Sequence, residues 1–429
     1  MMKKVRGAVS VMMTTLLIGV VSVLALSVFR TLIQSQHISQ GRINNIIREW
    51  NLKGISDCVA EKIIQLPFST SFSHCLDDEG VYLEVTHGMK RDVTVKEKKS
   101  EVSFSLKLPE ADRAGVIKST MNLVFLRDVS ISPDPGKSTS KGRWECSSIL
   151  YSRQLYAQSL SSSHPYLSPL MPYWGFMKQG ARCDNRHYSV SVNPSAAKAD
   201  FRKLPILDPF FDLWHISAGD WFSLMSDSLI GHVPVRFENS FDGTLVYSEE
   251  SRLPPAEFNP SCEGGIDRQL QKGKRIIWVY GGCELNDDGI SRINSAIDSA
   301  FKHGGVIIVV QNGILSIHAD ISLHALIIQM ITGESVDYAS QWSRVGNVSH
   351  IMDDISHQPF PSLKKTLSLD SLAYYQSGLF YPEGGLILIG EHFYSLIKSR
   401  YFAIQKDLIT EALSVVRPVE RAGGSWDEK

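Results

Sequence analysis

From Ala8 to Phe29 the chain reads AVSVMMTTLLIGVVSVLALSVF, without one ionisable side chain. A helix over this run is roughly 33 Å long at about 1.5 Å per residue, enough to cross a hydrocarbon core while satisfying its own backbone groups. Lys3, Lys4 and Arg6 precede it, and the positive-inside bias keeps them cytoplasmic and sends Arg30 onward across the membrane. The expectation is a single-pass inner-membrane protein with a cytoplasmic N-terminus and a periplasmic bulk. A cleavable secretory signal competes, because Val23-x-Ala25 fits a small-residue cleavage site, although the run exceeds the roughly 7 to 15 residues of a signal's apolar region. Both readings export the chain.

The exported part is long enough for two or three folded units, since only the first 29 of the 429 residues are set aside as leader and anchor. Apolar residues at 43% and charged residues at 21% are ordinary for a globular chain, which excludes a disordered protein or a polytopic transporter. Basic and acidic residues number 44 and 45, so no field of one sign is present and no nucleic-acid partner is expected.

Six cysteines, Cys58, Cys75, Cys146, Cys183, Cys262 and Cys283, all follow the apolar run. An even number in an exported chain suits disulfides, and of the fifteen pairings that six permit, sequence-neighbour pairing is the simplest, because each bond closes a modest local loop. Unpaired buried thiols are the alternative.

Helical spacing continues past the membrane through Ile43, Ile46, Ile47, Trp50, Ile55, Val59, Ile63 and Ile64. Gly41 and Gly54 weaken it and mark places for a bend or local melting, and Pro67 ends it. The period then changes to two at Val81, Leu83, Val85 and again at Val102, Phe104, Leu106, Leu108, which reads as antiparallel strands with a hairpin. Lys90, Arg91, Lys96, Lys98 and Lys99 are interleaved with Asp92, Glu97 and Glu101, and read as a solvated strand face. Residues 128 to 270 show no clear period, and their aromatic stretches, such as FFDLWHISAGDWFSLM, read as core rather than as ligand platforms.

The last third is clearer. IIWVY, VIIVV, ILSI, LIIQM and LILI are short β-rich runs punctuated by Gly281-Gly282, Gly304-Gly305, Gly313 and Gly384-Gly385. GGVIIVVQNG, ILSIHAD and LHALIIQM look like imperfect rungs of one stacked β unit rather than a βαβ nucleotide fold, with a helix near Ser291 to Phe301 interrupting the series. The fold class is therefore α+β, an N-terminal transmembrane and amphipathic helix followed by β-rich exported domains. The expected divisions are 1–29 for the leader and membrane helix, 30–66 for the amphipathic helix, 67–270 for a central β-rich, partly irregular domain, 271–395 for the stacked-strand domain and 396–429 for a terminal helix and tail.

No recognised catalytic constellation is present: GxSxG, HExxH and GxxxxGK[ST] are all missing. His350, Asp353, Asp354 and His357 have spacings that suit one helix face, but surface loops and helices carry such residues routinely. Asn286-Asp287-Asp288-Gly289 lacks the alternating oxygens of a calcium loop and reads as a turn. Asp77-Asp78 and His318 with Asp320 remain unassigned. No catalytic, cofactor or metal residue is nominated, and no cofactor is expected.

The basic start with its apolar run, the amphipathic helix behind it, GGVIIVVQNG and the closing Gly424-Ser425-Trp426 together resemble the PilX-type pilus assembly proteins, minor-pilin-like members of type IV pilus systems. The resemblance covers residues 3–66 and 275–429. It implies Gly7 as the last leader residue, Ala8 as the mature N-terminus, and a helix that enters a core of other pilin-like subunits. The chain departs from the major-pilin pattern at Met12, where a pilin carries the Glu that neutralises a neighbour's charged N-terminus. The expected function is non-enzymatic: assisting assembly or surface display of a type IV pilus, with the membrane and pilus subunits as partners. A membrane-anchored carbohydrate-binding or polysaccharide-acting protein is the first alternative, and a structural envelope protein the second.

Overall fold

The computed structural model describes residues 4–65, 72–76, 81–85, 90–97, 100–108, 113–137, 139, 143–163, 182–233, 253, 255–301, 304–332, 336–405, 407–417, 420–421 and 427–428. Pro67, Asp77, Asp78, Lys98, Lys99 and the closing Gly424-Ser425-Trp426 lie outside them. The chain opens with α1 (Lys4–Gln65), β1 (Val81–Val85), β2 (Lys90–Glu97) and β3 (Ser100–Lys107). β4 (Ile117–Ser119), β5 (Asn122–Phe125) and β6 (Val129–Ile131) follow, then β7 (Arg143–Trp144), β8 (Ile149–Tyr151), β9 (Leu155–Tyr156), β10 (Leu160–Ser162), β11 (Arg182–Cys183) and β12 (Phe201–Lys203). Next come α2 (Pro209–Trp214), α3 (Trp221–Met225), β13 (Gly231–Val233), β14 (Phe258–Asn259), α4 (Cys262–Gln271), β15 (Ile276–Tyr280), β16 (Gly282–Asn286) and α5 (Asp287–Ala300). The last stretch holds β17 (Val306–Gln311), β18 (Leu315–His318), β19 (Ala325–Met330), α6 (Tyr338–Trp342), α7 (Val348–His357), β20 (Leu372–Ser377), β21 (Leu386–Ile389), β22 (Tyr394–Ile397), β23 (Tyr401–Phe402), α8 (Asp407–Ser414), β24 (Glu420–Arg421) and β25 (Asp427–Glu428).

α1 runs unbroken through Gly41 and Gly54, 62 residues in all, or about 93 Å at 1.5 Å per residue. No melted turn interrupts it, since a single glycine costs only about 1 kcal/mol in a helix this long. It is long and apolar enough to cross a membrane, as an anchor or a signal sequence would be, and its most apolar window is unburied. Only its far end packs: Leu52, Val59, Ala60 and Ile63 are buried against Val93, Val95, Val102, Phe104 and Leu106 of the β2–β3 hairpin. Of the expected amphipathic face, Ile43, Ile46, Ile47 and Trp50 stay exposed, Trp50 at 72%.

The hairpin sheet has the order β1-β2-β3, antiparallel throughout, and its far edge is closed by β24 and β25 from the chain's other end, both pairing antiparallel with β3. Arg91, expected on a solvated face, is 2% exposed, because the two-residue period that buries Val93 and Val95 puts Arg91 on the same side.

Among the described residues, the named strands between β3 and β24 pair in parallel throughout. One sheet has the order β12-β8-β4-β21-β19-β17-β15-β13 and a second the order β14-β16-β18-β20-β22-β5-β9; β10-β6-β23 form a short third face. Successive strands alternate between sheets, so the chain coils as a parallel β-solenoid. GGVIIVVQNG supplies β17, ILSIHAD supplies β18, and LHALIIQM supplies β19, which pairs with β17 one coil on. The coil order differs from the chain order: β21 stacks on β4, so the later half of the sequence forms one end of the stack and the earlier half the other. The strands on either side of residue 270 also share a sheet, β13 pairing with β15.

The continuous apolar runs of the first sheet follow from burial on both faces. Ile277, Val279, Ile308, Val310, Ile327 and Leu386 point into the solenoid. Ile276, Trp278, Ile307, Val309, Ile328 and Ile387 point outward, under Phe210, Leu213, Trp214, Trp221 and Met225 of α2 and α3 and under Ile409 and Leu413 of α8. The aromatic stretch at 210–225 is thus core, with Trp221 stacked on Trp278 at 6.2 Å. At the corner between the sheets a Cβ on Gly313 would lie 2.0 Å from the Gly281 carbonyl carbon. Only glycine permits that approach.

Candidate functional site

The cysteines pair as sequence neighbours: Cys58–Cys75, Cys146–Cys183 and Cys262–Cys283, with none free. The first ties the packed end of α1 to the segment before the hairpin, and the third, wholly buried, ties the start of α4 to β16. Such bonds suit an oxidising, exported compartment. His74 lies 3.5 Å from the Cys75 sulfur, but the two sulfurs are bonded to each other, so no thiolate pair is available to a metal. Gly7 and Ala8 fall in the first turns of α1, and Met12 is 72% exposed.

The other singled-out residues resolve locally. Asn286 is the N-cap of α5, its Oδ1 accepting from the Gly289 amide at 2.9 Å. On α7, His357 lies against Asp353 at 3.0 Å on the exposed side. Asp354 turns the other way, accepting from the Tyr375 hydroxyl at 2.8 Å and from Lys398 Nζ at 2.8 Å. His350, Asp353, Asp354 and His357 therefore do not converge.

His318, Asp320 and His350 do meet in one place, a cleft of about 370 Å³ between the start of α7 and the solenoid, with Arg127, Tyr375, Ser377, Lys398 and Arg400. Residues from four coils are brought there by register. His318 stands opposite Ser377; the Lys398 amide donates to the Gln376 carbonyl at 2.8 Å, and the Leu126 amide, one residue before Arg127, donates to Ile397 at 2.9 Å. At about 4.8 Å between neighbouring strands, these positions span roughly 14 Å along the stack.

The cleft floor is fixed. His318 Nδ1 lies 2.7 Å from Ser377 Oγ, and Asp320 accepts from the Leu379 amide at 3.0 Å. Gly378, at φ +86, makes the turn between them; a Cβ there would meet the Ala319 carbonyl oxygen at 2.0 Å. Burial raises the pKa of the Tyr375 hydroxyl, and Asp354 raises it further, so the phenol stays a donor to that carboxylate. Arg127 and Arg400 are exposed, and neither has an acidic partner among the described residues. Asp320 is the one carboxylate among the described lining residues. Chemically, the arrangement can hold an anion on guanidinium groups and exchange hydrogen bonds with hydroxyls.

Arg127, Lys398 and Arg400 escaped sequence reasoning because the two arginines lie 273 positions apart and belong to no local motif; the alternation in LIKSR (Leu396 to Arg400) is the only local trace. Compared with protein-family models, with curated proteins and with solved structures, the chain matches none of them.

Proposed function

We propose that the chain is a non-enzymatic, pilin-like subunit of a type IV pilus system, held by α1 in the inner membrane with its bulk in the periplasm and passing into the filament by helix packing. The observation that carries this reading is the division of labour along α1. Residues from Leu52 to Ile63 pack on an antiparallel sheet that the C-terminal strands complete, while Leu16, Leu17, Leu24, Leu26, Phe29 and Trp50 stand 59% to 72% exposed. Each such side chain gains about 1.5–3 kcal/mol when covered. The bare half therefore demands lipid or neighbouring helices, and the same apolar surface serves for both in turn. Met12 removes the charge that a major pilin offers at that position, so attraction between neighbours rests on apolar contact.

Deletion of the gene tests the proposal: pilus number or a pilus-dependent behaviour changes, and pilin-like subunits co-purify with the tagged protein. Unchanged piliation, twitching, adhesion and DNA uptake, with no subunit co-purifying, would overturn it.

A further inference from the structure

We infer that the cleft beside α7 binds an acidic saccharide, its carboxylate held by Arg127 and Arg400 and its hydroxyls by Asn347, His318 and Asp320. This site lies on the solenoid and does not rest on the role proposed for α1.

Charge bookkeeping within the cleft selects the ligand. Lys398 is engaged by Asp354 at 2.8 Å, and Asp320 accepts from the Leu379 amide at 3.0 Å through Oδ1, so its single negative charge stands against the two arginines and leaves the cleft net positive. Arg127 and Arg400, both exposed, keep their charges uncompensated among the described residues. A planar guanidinium accepts a carboxylate through two parallel hydrogen bonds, which a lysine cannot do. The remaining lining is polar, with Leu379 its single exposed apolar side chain. That composition fits a hydroxylated ligand better than an acidic peptide, which needs apolar pockets for its side chains or a free sheet edge.

A nucleic-acid strand also carries anions at regular spacing, but two features oppose it. Strand binding rests on large aromatic platforms for the bases; Tyr375 is 1% exposed with its hydroxyl committed to Asp354, and the other rings among the described lining residues are only the small imidazoles of His318, held at Nδ1 against Ser377 Oγ, and His350. The chain's formal net charge of -1 provides no wider basic field around the cleft. The roughly 14 Å over which the four coils contribute favours several linked sugar rings over a single one.

The test uses the full-length protein in detergent micelles and titration calorimetry with three probes: trigalacturonate, the neutral maltotriose, and a short oligothymidylate. Trigalacturonate is expected to bind, maltotriose at least tenfold more weakly, and the oligothymidylate no better than maltotriose. Arg127→Ala and Arg400→Ala should each weaken trigalacturonate binding about tenfold or more, the usual result of losing a hydrogen bond to a charged group. Arg153→Ala, which removes a surface cation paired with Glu391 outside the cleft, should leave it unchanged. Unaltered melting temperatures confirm that the variants fold. No binding of trigalacturonate, equal binding of the neutral sugar, indifference to both cleft substitutions, or tighter binding of the oligothymidylate would each overturn the inference.

Discussion

At the residue scale, His232 on β13 is the group whose protonation the fold opposes most plainly. It is 3% exposed, its Nε2 donates to the Met225 carbonyl at 2.6 Å, and burial lowers its pKa, with the Met225 contact partly opposing and Lys274 adding to the shift. Between the folded value and the unfolded value of about 6.5, the unfolded chain binds more protons, so stability rises with pH in that window and is lost as pH falls through it. Calorimetric melting at pH 7.5, 6.5 and 5.5 should show a fall below 6.5 that is shallower in His232→Gln; parallel curves would remove the claim. The cleft was only half legible at this scale. His318 and Asp320 stand two apart in ILSIHAD and invited notice, but a ligand site needs distance, and the distance from His318 to Arg127 and Arg400 is set by strand register across four coils. No pattern within a window of ten residues encodes that.

At the element scale, local patterns carried further. The apolar run and the helical spacing behind it gave α1, and the two-residue period gave β1 to β3, because both signals are complete within one segment. The exposure of Ile43, Ile46, Ile47 and Trp50 was not readable, since periodicity names an apolar face without saying what covers it. The packed end of α1 depends on one bond in particular. Cys58–Cys75 closes a loop of sequence separation 17, and loops of that size are worth about 3 kcal/mol. The Cys58→Ser, Cys75→Ser double variant should lose amide-exchange protection over Leu52–Ile63 while β17 and β19 keep theirs. Equal loss in both places, or none in the helix, would show that the bond does not act locally.

At the scale of the whole molecule, the solenoid is an insert in the small sheet. The runs of β15, β17, β19 and β21 were legible because burial on both faces makes them continuously apolar, whereas β4, β5, β8 and β9 are only two to four residues long and rest on neighbours for their shape. Coil order was beyond reach, because the β21–β4 pairing joins segments some 270 residues apart and no local preference specifies it. Both linkers dock on α2: Arg113 reaches Asp212 at 3.6 Å, and Arg417 donates to the Leu213 carbonyl at 2.7 Å. Residues 113–417, excised, should accordingly fold alone with two disulfides and one cooperative melt; an aggregated or molten product would contradict the insertion. The central claim concerns the other part, the bare half of α1 as a packing surface between subunits. It is tested most directly by placing a photo-crosslinking side chain at Leu24, with Val59 as the buried control, in cells that assemble pili. The account predicts adducts to other pilin-like subunits from Leu24 and none from Val59. Leu24 yielding no protein adduct, or the same adducts from both positions, would contradict it.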